Sequence, residues 1–99
     1  MNNGTLTTEV VAGLMQATLF AAEKHRGQRR KDAGRTPYIN HPIMVTNLLT
    51  NVGGIADLET LQAGMLHDTI EDTDTTADEL EEHFGVEVRS LVLELTDDK

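Results

Sequence analysis

Apolar residues recur at helical spacing in five stretches of this chain. Val10, Leu14, Ala17 and Ala21 fall three or four apart and predict a helix from a cap at Thr7 or Thr8 to about His25. Residues 27–40 contain Gly27, Gly34 and Pro37 with no apolar period, which predicts a loop. Asn40 reads as the cap of a second helix, with Pro42 in its first turn and Met44, Leu48 and Val52 as its inward stripe. Gly53-Gly54 ends it. Asp57 caps a third helix that turns Leu58, Leu61, Met65 and Leu66 inward and carries His67, Asp68, Glu71 and Asp72 at its C-terminal end. Thr76-Ala77-Asp78-Glu79 has the capping-box pattern and opens a short helix that packs Leu80 and Phe84 and stops at Gly85. The last helix runs from Val86 to about Leu95, with Val88, Leu91, Val92 and Leu95 inward. No segment alternates at period two, so the fold class is all-α, a bundle of about five helices.

At 99 residues the chain reads as a single domain. Aromatic residues are only 3% of it and tryptophan is absent, so aliphatic side chains and alanine must build the core. With no cysteine, disulfides, thiolate metal sites and cysteine nucleophiles are excluded. No apolar run reaches the ~18 residues of a membrane span, and no basic N-terminal start marks a signal peptide. A soluble, cytoplasmic protein without a membrane partner is expected.

The net charge of −9 argues against nucleic acid as a partner, because a polyanion is repelled. The charge is unevenly spread. Six of the eight basic residues (Lys24, Arg26, Arg29, Arg30, Lys31 and Arg35) lie within twelve positions, whereas fourteen acids follow from Asp57 onward. A solvated surface is one reading. The other is a basic loop that holds a small anion, such as a phosphate ester, beside an acidic part that holds a metal.

The chemistry-bearing segment is HDTIED, residues 67–72. With four histidines and eight aspartates in 99 residues, chance alone gives about a third of one His-Asp pair, so the dipeptide needs support. On a continuous helix His67, Asp68, Glu71 and Asp72 share an arc of roughly 140°. Acids there oppose the helix macrodipole at about 0.3–1 kcal/mol each and repel one another. A bound divalent cation would relieve both costs, and imidazole with carboxylate suits Mn²⁺, Fe²⁺ or Zn²⁺ better than Ca²⁺. The competing reading is a solvated acidic helix end with a surface histidine. His41, at a helix start, is the natural second imidazole. His25 and His83 read as surface or structural residues.

These residues resemble a known family. HRGQRRKD, TPYINHP, LHDTIEDTDTT and HFGVEVRSLVLELTDDK occur in the order and spacing of HD-domain hydrolases of the RelA/SpoT type. The likeness is strongest to the small alarmone hydrolases that include the metazoan SpoT homologue. The resemblance implies an all-helical, Mn²⁺-dependent enzyme that removes the 3′-pyrophosphate of guanosine tetra- or pentaphosphate. By motif it makes His41, His67 and Asp68 metal ligands. Glu71 and Asp72 would position and activate the attacking water, and Arg30 and Lys31 would hold the nucleotide substrate.

The family pattern continues beyond TDDK to a further Asp that completes a His-His-Asp-Asp set, and to an Asn near the nucleotide. The resemblance therefore makes residues 1–99 the N-terminal portion of such a domain, from a longer enzyme or a shortened form, with Asp97 and Asp98 poor substitutes for the later Asp. Exposed apolar helix faces are then expected, and homo-oligomerisation is one way to cover them. Two alternatives stand beside the leading function. One is an NADPH 2′-phosphatase or other nucleotide phosphohydrolase. The other is a non-catalytic helical binding module or inactive fragment.

Overall fold

The structure, a computed structural model, describes residues 8–96. They form six helices: α1 (Thr8–Lys24), α2 (Asn40–Asn51), α3 (Leu58–Leu66), α4 (Thr69–Asp72), α5 (Ala77–Phe84) and α6 (Val86–Thr96). The expected cap at Thr7, like Asp97 and Asp98, lies outside the described residues. The only extended pairing among them is an isolated bridge between Arg29 and Pro37.

α3 is the axis of the fold. It packs against α1, α2 and α6, and every residue from Leu61 to Leu66 is buried. Its one polar side chain in that stretch, Gln62, is buried with a hydrogen-bond partner, as a helix enclosed on several sides requires. Asp57 caps it by accepting from the Thr60 hydroxyl at 2.7 Å and the Thr60 amide at 3.1 Å, which holds the Asp57 carboxyl below its usual range. Around α3, Ala17 and Ala21 of α1, Leu80 of α5, and Val88 and Val92 of α6 are fully buried, with Phe20, Ile70, Phe84 and Leu91 packed against them. The short alanines let α1 lie close to α3. Gly13 does the same one turn earlier, where Gln62 donates to its carbonyl at 3.0 Å.

The expected cap at Thr76 is present, accepting from the Glu79 amide at 3.1 Å. The Glu79 carboxylate does not complete the capping box. It pairs instead with Lys24 at 3.0 Å, tying the end of α1 to the start of α5. Gly85, at φ 97°, turns the chain between α5 and α6.

Three features of the helices differ from the sequence expectation. Asn40 is not a cap but the first residue of α2, and no side chain caps that helix. A turn before it, with Asn40 and His41 amides donating to Pro37 and Tyr38 carbonyls, satisfies those donors instead. The stripe of α2 is also different: Met44, Leu48 and Val52 are 59%, 51% and 79% exposed, while Pro42 and Thr46 are buried and Val45 and Leu49 half-buried. The inward face lies one residue further along each turn. On α6, Leu95 is 57% exposed, although Val88 and Val92 point inward as expected.

Gly64 explains the phase of α2. A Cβ there would lie 2.9 Å from Leu49 Cδ1 and 3.4 Å from Thr46 Oγ1. Thr46 is held by its own bond to the Pro42 carbonyl at 2.9 Å, so it cannot easily give way. Gly64→Ala is expected to destabilise the fold by about 1–3 kcal/mol through overpacking. Urea unfolding checks this; an unchanged midpoint would mean the α2–α3 contact is loose.

Candidate active site

The helix expected to continue through residue 72 breaks after Leu66. Asp68 sits at φ −88°, ψ −6°, and α4 restarts as a single turn. Side chains take over carbonyls that the end of α3 would otherwise leave open: His67 Nδ1 bonds Gly64 O at 2.8 Å, and the Thr69 hydroxyl bonds Leu66 O at 2.7 Å. The break changes the electrostatics inferred for a continuous helix. Glu71 and Asp72 no longer sit on the terminal turn of α3, so only Asp68 directly opposes its macrodipole.

The bond from His67 to Gly64 also fixes a tautomer. A carbonyl only accepts, so Nδ1 carries the hydrogen, and in the neutral ring Nε2 keeps its lone pair. That Nε2 lies 3.3 Å from Asp68 Oδ1. From the first turn of α2, His41 Nε2 lies 3.5 Å from Asp68 Oδ2. One donor atom from each of His41, His67 and Asp68 falls within 4.8 Å of the others. Two imidazole nitrogens and one carboxylate oxygen, half-buried and converging, are a suitable donor set for a divalent transition metal, and the fixed tautomer of His67 strengthens the fit. HD domains bind divalent metals, and these three residues could hold one.

The remaining predicted residues divide. Asp72 is tied to the cluster through Tyr38, whose hydroxyl is 3.0 Å from Asp68 Oδ2 and 2.9 Å from Asp72 Oδ2. Burial and these two carboxylates push the Tyr38 phenol pKa well up. Arg30 and Lys31 line an open hollow of about 290 Å³ together with Arg29, Tyr38, His41 and Asp72. Glu71 is exposed on the same turn as Asp72 and is not among the residues lining that hollow.

The basic loop is ordered by its own bonds. Arg30 N donates to Thr36 O at 2.8 Å, and Tyr38 N to Gln28 O at 2.9 Å. Asp32 accepts from the Thr36 amide at 3.0 Å and hydroxyl at 2.9 Å, which lowers its pKa. At the base of the loop, Gln28 Nε2 donates to the Asp72 carbonyl at 2.8 Å. The loop backbone that carries Arg30 and Lys31 is therefore held beside the turn that carries Asp72.

His25 is structural, not surface: it is 2% exposed, with Nδ1 on Gln28 Oε1 at 2.9 Å and its ring stacked 4.7 Å from Tyr38. His83 is exposed against Phe20, away from this cluster. Sequence reasoning missed Tyr38 and Gln28. Both lie inside the motifs TPYINHP and HRGQRRKD, and Tyr38 is the only tyrosine.

Comparison with known proteins gives a consistent result. A family described as HD domain matches residues 17–98. Guanosine-3′,5′-bis(diphosphate) 3′-pyrophosphohydrolase MESH1 of Homo sapiens is 64% identical over 88 residues, covering 89% of this chain and 49% of that protein. The guanosine-3′,5′-bis(diphosphate) 3′-pyrophosphohydrolase of Vibrio cholerae is 44% identical over 87 residues, covering 88% of this chain and 12% of that one. A solved structure described as a metazoan orthologue of SpoT that hydrolyses ppGpp superposes with a TM-score of 0.85 at 42% identity, covering 93% of this chain and 50% of its own. The chain thus spans about half the length of the MESH1 proteins it matches. No helix among the described residues is long and apolar enough to cross a membrane.

Proposed function

This chain belongs to the HD-domain family, and from that premise we propose that it contributes to Mn²⁺-dependent hydrolysis of the 3′-pyrophosphate of guanosine tetra- or pentaphosphate. The observation that carries the proposal is the convergence of His41, His67 and Asp68 donor atoms within 4.8 Å beside a hollow lined by Arg30 and Lys31. The names of the similar proteins point the same way.

In this reaction a water oxygen bonds to the phosphorus attached to the ribose 3′-oxygen. The P–O3′ bond breaks, and the products are pyrophosphate and GDP or GTP. His41, His67 and Asp68 would hold the metal, which when bound lowers the pKa of water and offsets charge on phosphoryl oxygens. The chain's own residues do the rest. Arg30 offers a planar fork for bidentate phosphate contact or stacking on the base, and Lys31 a point charge. Glu71 and Asp72 orient the water and accept its proton. A nucleotide substrate suits a cytoplasmic enzyme. Self-association would cover the apolar face that Met44, Leu48 and Val52 leave exposed on α2.

The alternative is NADPH 2′-phosphatase action, because NADPH too carries a phosphate ester on a purine ribose. The test is a side-by-side measurement of kcat/KM for guanosine tetraphosphate and NADPH at saturating Mn²⁺. The proposal expects a value at least about tenfold higher for the tetraphosphate, a difference of about 1.4 kcal/mol in transition-state stabilisation. A higher value for NADPH would replace pyrophosphohydrolysis by phosphatase action at the same site.

A further inference from the structure

Tyr38 is placed where one hydrogen must serve two acceptors. Its hydroxyl oxygen is 3.0 Å from Asp68 Oδ2 and 2.9 Å from Asp72 Oδ2. A phenol has one O–H to donate. At any moment one carboxylate receives it, and the other faces a phenolic lone pair. The ring itself is held. It stacks on the buried His25 at 4.7 Å with 26° between planes, and meets the edge of His41 at 5.9 Å. His25 is in turn fixed by Gln28, which also bonds the Asp72 carbonyl. With the ring clamped, the part of Tyr38 with freedom to move is the hydroxyl rotor.

We propose that Tyr38 is a positioning residue whose hydroxyl couples occupancy of the His41–His67–Asp68 site to the orientation of the Asp72 carboxylate. With Asp68 unbound, the two carboxylates compete for the proton on similar terms. A cation on Asp68 is the largest local charge and withdraws electron density from its oxygens, making Asp68 the poorer acceptor. The hydroxyl then turns fully to Asp72 and fixes that carboxylate at the edge of the hollow it shares with Arg30 and Lys31. Carboxylates at metal sites are commonly oriented by such outer partners. Here the partner also reaches a second carboxylate, so filling the site and ordering Asp72 become one event. The turnover part of this proposal rests on the function proposed above; the coupling does not.

Composition supplies the probe. Tyr38 is the sole tyrosine and there is no tryptophan, so tyrosine emission from the whole chain reports this phenol alone. The full chain and its Asp72→Ala variant are titrated with Zn²⁺, following emission and heat together. In the parent, emission changes with the same midpoint as the heat. In Asp72→Ala the hydroxyl has no second acceptor, and the emission change at full occupancy falls to less than half. Tyr38→Phe keeps the ring and its stack. It is expected to bind Mn²⁺ within about threefold of the parent while kcat falls about 10- to 100-fold and KM stays near its parent value.

A parent whose emission ignores a filled site overturns the coupling. So does an equal emission response in the parent and Asp72→Ala, or a Tyr38→Phe chain that turns over like an active parent. If the parent binds Zn²⁺ but releases no pyrophosphate, the function proposed above fails and the emission titration still decides the coupling. If neither heat nor emission responds, both fall.

Discussion

Asp68→Asn is expected to abolish hydrolysis and to weaken Mn²⁺ binding by more than the roughly 10- to 100-fold typical of losing an outer partner of a metal ligand. The substitution keeps shape and removes charge. One Asp68 oxygen is 3.3 Å from His67 Nε2 and the other 3.5 Å from His41 Nε2. An amide NH₂ facing either nitrogen would donate to the lone pair a metal needs, so the variant both removes a ligand and occupies another. Fold stability is expected to hold, because the asparagine carbonyl can still accept from Tyr38. Calorimetric Mn²⁺ titration beside thermal unfolding separates the two effects. Unchanged affinity would remove Asp68 from the ligand set.

Glu71→Gln is expected to leave Mn²⁺ affinity near that of the parent and to lower kcat by about 10²–10⁴-fold, the usual worth of a general base. A carboxamide cannot take the proton of the attacking water. The geometry sharpens this prediction. Asp72 is bonded to Tyr38, and Glu71 lies on the same turn of α4. Both residues are exposed on that turn, and of the two it is Asp72 that lines the hollow. Steady-state pyrophosphate release at saturating Mn²⁺ measures the loss. Full activity in Glu71→Gln would shift proton acceptance to Asp72.

The parts of the site most legible in sequence were those carried by short motifs. His67 and Asp68 are adjacent, and His41 precedes a proline at a helix start, so their types and positions could be read directly. Tyr38 could not, because its role depends on a loop folding back so that a residue before α2 reaches α4. The break after Leu66 was hidden for a related reason. The apolar spacing runs on through Ile70, and what ends α3 is side-chain bonding by His67 and Thr69.

The stripe of α2 shows how phase escapes a single sequence. Met44, Leu48 and Val52 form one series at four-residue spacing, and Val45 and Leu49 form another one residue on. Both satisfy helical periodicity. The close approach of Gly64 to Leu49 and Thr46 selects the second, and only the packed structure contains that contact. The exposed series on α2 joins Leu95 of α6 as apolar surface left to solvent. By contrast, the caps at Asp57 and Thr76 and the stop at Gly85 rest on local bonds or backbone freedom, and each is found where the sequence placed it.

Metal-assisted phosphoester hydrolysis at His41, His67 and Asp68 has a direct test. The most direct measurement is pyrophosphate release from guanosine tetraphosphate by this 99-residue chain, with and without Mn²⁺ and with Asp68→Asn as control. Release is expected to require Mn²⁺ and to be lost in the control. Release that persists without metal, or in Asp68→Asn at the parent rate, would contradict it.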